Sequence, residues 1–95
     1  MCQKKYELHA ANGAKIDICG DVRLTLEQLQ GLVGGLIEFA DGEWHGCPGR
    51  TLCVNEEGLL LGLPLNPHFP RLAGNVVVGV DVETPDDREF QGLPD

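Results

Sequence analysis

Between Asn55 and Asn66 the chain reads Asn-Glu-Glu-Gly-Leu-Leu-Leu-Gly-Leu-Pro-Leu-Asn, an apolar crossover that bends at Gly58 and stops at Asn66-Pro67. Leu59, Leu60, Leu61, Leu63 and Leu65 are expected to help lock a compact body. Thr51–Val54 enters this crossover as a strand. Asn66 is expected to cap, and Pro67 to open, a short helix that Pro70 damages and Gly74 ends.

Upstream, Tyr6–Cys19 reads as a hairpin with Asn12-Gly13 at its tip. A two-residue Asn-Gly turn would set Leu8 against Asp17 and scramble the apolar face. A three-residue loop, Ala11-Asn12-Gly13 with Gly13 left-handed, pairs Leu8 with Ile16 and Tyr6 with Ile18. Burial fixes the register, so the three-residue loop is expected. Thr25 then reads as a helix N-cap, with Gln28 completing a capping box and Leu24 and Leu29 forming a staple. Leu26, Leu29, Leu32 and Val33 make one apolar stripe, and Gly34-Gly35 stops the helix. Leu36–Ala40 is a strand, with Ile37 and Phe39 on one face and Glu38 on the other. Thr51–Val54 is its antiparallel mate across the breaker-rich connection Asp41–Arg50. Val76, Val77, Val78, Val80 and Val82 form a strand whose unbroken valines place it centrally, buried on both faces.

The expected architecture is α+β. It has a mixed four- to five-stranded sheet with one helix packed on one face, a short second helix and a β-grasp-like order. Residues 1–83 form the single domain, and 84–95 read as an acidic, disordered tail. A chain of 95 residues with net charge −8 makes one small domain that buries only about 60–65% of its unfolded surface. Association with itself, as a homodimer, or with a partner would help to stabilise it. Acidity repels phosphate backbones, so direct nucleic-acid binding is not expected. Met1 is followed by Cys2, Gln3, Lys4 and Lys5 with no apolar run, and no stretch approaches a membrane span. A cytoplasmic protein without membrane contact is the expectation, and Cys2, Cys19, Cys47 and Cys53 are expected as thiols.

Three stretches carry a resemblance: Leu26–Glu38, then Val54-Asn55-Glu56-Glu57-Gly58, then Leu61-Gly62-Leu63-Pro64-Leu65-Asn66-Pro67. With the valine strand after Gly74, they resemble the small domain of unknown function numbered 3846, met mostly in bacteriophages, plasmids and the bacteria that carry them. The resemblance spans about residues 24 to 80. It implies a mobile-element setting and a fold, but no reaction and no catalytic residue.

The residues themselves assemble no reaction centre. His45, Cys47 and Cys53 lack the paired ligand spacing of a zinc site, so no metal or other cofactor is expected. Cys47 sits in a Gly/Pro loop without a held base, which is poor preorganisation for a nucleophile. Glu56 and Glu57 are adjacent and point to opposite faces, and Asn55 reads as a turn former. No enzyme is expected. Trp44 either covers a gap in the core or is exposed, and an exposed Trp44 with His45 and Arg50 nearby has the composition of a binding hot spot. The leading expectation is a protein-binding domain that acts on a host or phage protein. A basic nucleic-acid-handling or defence protein would be inhibited through surface acids Glu38, Glu43, Asp81, Glu83, Asp86 and Asp87 gathered on one face. Asn55 and Glu56 join the candidate binding residues. The alternative is a small-molecule or nucleotide site in a cleft between the Trp44 loop and the Asn55–Asn66 crossover.

Overall fold

The computed structural model describes residues 4–19 and 23–94. The first hairpin pairs β1 (Lys4–His9) with β2 (Lys15–Cys19), setting Leu8 opposite Ile16 and Tyr6 opposite Ile18. Its loop is the three-residue one. Ala10 N–H donates to Ala14 O at 2.8 Å, and Gly13 sits at φ 97°, where a side chain would be strained. The helix α1 (Leu26–Val33) begins with the expected reciprocal cap: Gln28 N–H donates to the Thr25 hydroxyl, and Thr25 N–H to the Gln28 side chain. At its other end, the side-chain amides of Asn75 and Asn55 donate to the Leu32 and Val33 carbonyls, satisfying acceptors that a helix end leaves unpaired. Leu29 and Val33 are buried, Leu32 is partly so, and Leu26 is exposed rather than part of the inner stripe.

β3 (Ile37–Asp41) and β4 (Thr51–Asn55) form an antiparallel pair joined through a one-turn 3-10 helix, Gly42–His45. β7 (Val76–Glu83) slots between β1 and β4, so the main sheet runs β2-β1-β7-β4-β3 with the valine strand at its centre. The α+β class, with α1 against one face of the sheet, matches the expectation. The sheet's sense does not. Because β7 runs against both neighbours, every described pairing is antiparallel, where a mixed, β-grasp-like sheet was expected.

Two further stretches depart from the sequence reading. No second helix forms at Pro67. Instead β5 (Leu65–Asn66) turns into β6 (Phe69–Ala73) as a small hairpin. Asn66 is fully buried. Its side chain accepts from His68 N–H at 2.9 Å and donates to the carbonyls of His9 and Gly74. The side-chain acceptor that would cap a helix closes a tight turn instead. The supposed tail is also folded. β8 (Arg88–Gln91) pairs with β7, and β9 (Leu93–Pro94) pairs with Lys4 and Lys5 of β1. Phe90 anchors it, buried in the core against Tyr6 with ring centroids 5.4 Å apart. Gly79 makes room for this, since a Cβ there would lie 2.8 Å from Phe90 ring carbons.

The sheet is therefore covered on both sides. Tyr6, Leu8, Cys53, Val77 and Phe90 pack with Leu29 and Val33 on the helix side. Leu52, Val54, Val76 and Val78 pack with Phe69 of β6 on the other. Alternation along paired strands sends neighbouring side chains to these two opposite layers. Tyr6 joins three elements through its hydroxyl, which donates to Phe90 O at 3.2 Å and accepts from Leu24 N–H at 3.4 Å. Burial raises its pKa above the ordinary phenol value.

Candidate functional site

The crossover that was expected to help lock a compact body presents successive leucines to solvent. Leu59, Leu60 and Leu61 are 69%, 87% and 59% exposed, and Leu65 is exposed beside them. Three consecutive leucines cannot all turn inward from a compact turn, and here none of them does. The turn itself is firmly held. Asn55, buried at the end of β4, accepts from Glu57 N–H at 2.8 Å while its amide holds Val33 O. Backbone bonds from Gly58 to Asn55, Leu61 to Glu57 and Leu63 to Gly58 close the remainder. An ordered backbone thus presents apolar side chains to solvent.

One concavity flanks this ridge and a second lies on the far side of Arg71, which lines both. The first, about 340 Å³, lies between the ridge and the sheet and is lined by Glu38, Asn55, Glu56, Leu59, Leu60 and Arg71 among others. The second, about 210 Å³, is formed by Trp44, His45, Phe69, Pro70 and Arg71. Trp44 is 74% exposed, so it does not plug a gap in the core. Phe69 forms the floor and is buried, on a strand rather than the expected helix. Of the residues singled out from sequence, Trp44 and His45 meet in one concavity, and Glu38, Asn55 and Glu56 meet in the other. Arg50 and Asp81 lie elsewhere, around Phe39, Thr51 and Arg88. Glu43 lies within the short 3-10 turn, which Asp41 caps by accepting from Glu43 N–H with its carboxylate.

The acids do not share one face. Glu38 pairs with Val54 and so belongs to the hairpin side, whereas Asp81 pairs with Phe90 and belongs to the helix side. Glu83, two residues along β7, follows Asp81. Asp81 is further neutralised by Arg88, whose guanidinium lies 3.1 Å away. The expected single acidic face is therefore corrected: strand alternation divides it.

Arg71, Leu59 and Leu60 were missed as site residues. The missing signal was that three successive leucines on a turn exceed what one buried face can take. Among the described residues, no three His, Cys, Asp or Glu side chains are grouped to hold a metal. Burial pushes the Cys53 thiol up to about 12, far from the range of a reactive thiolate. Cys47 is a half-buried free thiol, and Cys19 is disulfide-bonded, unlike the expected thiol.

No described helix is long and apolar enough to cross a membrane. No curated protein and no solved structure matches the chain. One family model does, across residues 8–95, and it takes in the hairpin tip, the Trp44 loop and the C-terminal strands as well as the three stretches that first carried the resemblance. The chain belongs to the family described as a domain of unknown function, DUF3846.

Proposed function

We propose that this chain is a non-enzymatic protein-binding domain of phage or mobile-element type. Its docking surface would be the Leu59–Leu61 ridge together with Trp44 and Arg71. The observation that carries the reading is the ordered exposure of the leucines. The Asn55 side chain and four backbone bonds fix the turn without using the Leu60 side chain, so folding does not explain why an apolar residue 87% exposed is presented there. An exposed apolar ridge of this kind, linked through Arg71 to the concavity of Trp44, has the composition of an interface core. Glu38 and Glu56 beside the groove favour a partner that brings positive charge, for example a basic nucleic-acid-handling protein of the host. Inhibition of such a protein is the biological outcome this reading favours.

The test is capture of a partner from host lysate by the wild-type chain, followed by Leu60→Glu and Trp44→Ala. Loss of capture with an unchanged melting temperature supports the reading. Capture that survives both substitutions overturns it. A second reading, a small-molecule or nucleotide site, rests on the concavity walled by Trp44, His45 and Arg71. A ligand-dependent rise in melting temperature that Arg71→Ala abolishes would favour it instead.

A further inference from the structure

The two edges of the main sheet differ in how they meet solvent. At one edge, β2 carries Lys15 and Asp17, which pair across the hairpin with Glu7 and Lys5 at 3.8 Å each. At the other, β3 reads Ile-Glu-Phe-Ala-Asp, with no lysine, proline or bulge to discourage further pairing. Phe39 is 49% exposed on this edge, and Leu36, just before it, is 55% exposed.

The ladder to β4 shows which backbone groups remain. Glu56 N–H donates to Leu36 O, and Gly42 N–H donates to Arg50 O, each at 2.8 Å. These are the hydrogen-bonded pairs of an antiparallel ladder, so the alternation continues through Glu38 and Ala40, which bond inward to β4. The N–H and C=O groups of Ile37, Phe39 and Asp41 therefore point out from the sheet. Among the described residues, no strand pairs with that edge.

We propose that β3 is a strand-addition interface between two copies of this chain, related by a two-fold axis through Phe39. In that register Phe39 faces Phe39 of the second copy, Ile37 faces Asp41, and Glu38 faces Ala40. Every outward N–H and C=O of the strand then finds a partner. Moving the axis to Glu38 or to Ala40 strands one end of the ladder, and the Glu38 axis also sets like charges opposite each other. The Phe39 axis instead joins two aromatic pairs, since each Phe39 already lies 5.2 Å from its own Phe90. The two subunits each carry net charge −8, so self-association strengthens as salt is raised. This assignment stands apart from the leucine ridge and does not depend on it.

The experiment combines solution mass with a crosslinking scan. The wild-type chain is sedimented over a concentration series at low and high salt. Phe39→Cys, Glu38→Cys and Ala40→Cys are then oxidised separately in a Cys47→Ser background. The expected result is a dimer favoured by concentration and salt, abolished by Phe39→Lys with an unchanged circular dichroism spectrum. A covalent dimer is expected at position 39 and not at 38 or 40, because only the residue on the axis meets its own copy. A monomer at every concentration overturns the proposal, as does a dimer indifferent to Phe39→Lys. Crosslinking preferentially at position 38 or 40 overturns the register.

Discussion

The two faces of the sheet are closed by different means. On the helix side, α1 is capped at both ends and the Tyr6 hydroxyl ties β1 to β8 and to the helix entry. Tyr6, Leu8, Leu29, Val33 and Phe90 are buried there, with Leu26 and Phe39 left exposed at the margin. On the other side a two-stranded hairpin suffices, held by the buried amide of Asn66, and the crossover above it leaves its leucines in water. A helix brings a wide apolar stripe, whereas so short a hairpin delivers little beyond Phe69. The comparison teaches that one face of this domain is closed by its own helix, whereas the other leaves a ridge of leucines in water.

The sharpest way to break that contrast is Phe90→Ala. If the helix-side layer extends into β8, the substitution costs about 3–5 kcal/mol in denaturant unfolding. A change below about 0.5 kcal/mol would return residues 84–95 to the status of a tail. Asn66→Ala is the matching probe of the hairpin side. It leaves the His9 and Gly74 carbonyls without their donor and should cost about 1–3 kcal/mol.

A pH titration isolates the helix side through Cys53. Its folded pKa lies above the unfolded value, so the folded state retains a proton that the unfolded chain has lost. Stability is therefore complete below about pH 9 and falls as pH rises towards 12, by at most about 1.4 kcal/mol per pH unit for this group. Tyr6 adds a loss of the same sign above its own ordinary value near 10. Cys53→Ala, measured over the same range, should flatten the earlier part of the decline; an identical decline would remove Cys53 as its source. The smallest expected effect belongs to Leu60→Ser. Exposed as it is, it should shift stability by less than about 0.5 kcal/mol. A larger loss would mean that the ridge is structural.

How much of this was legible in the sequence follows the same division. The helix-side features obey local rules: Thr25 and Gln28 cap by spacing, and the alternation of Tyr6, Leu8, Ile16 and Ile18 fixes the first hairpin. The run Val76–Val78 announces a strand buried on both faces. The hairpin side hides its structure because its signals are shared between outcomes. Asn66-Pro67 is as good a helix start as it is an Asx turn, and only the distant carbonyls of His9 and Gly74 decide. Leu59–Leu61 shows apolarity without a period, so the sequence could not say which way it faced. β8 rests largely on Phe90 among charged neighbours, and no composition rule weighs a single ring. The candidate site residues divided similarly. Trp44 stood out by chemistry, while Arg71 entered only when β6 carried it beside the crossover.

The position of β7 has a consequence for how the molecule comes into being. A nascent chain that has emerged only as far as Gly74 holds three hairpins, of which the two in the main sheet, β1–β2 and β3–β4, have no strand in common. The valine strand is the piece that unites them, and it is synthesised late. Assembly is thus governed by closure between distant segments, the regime in which folding takes milliseconds to seconds rather than microseconds. During that wait the apolar rows of both hairpins are open to chaperones or to each other.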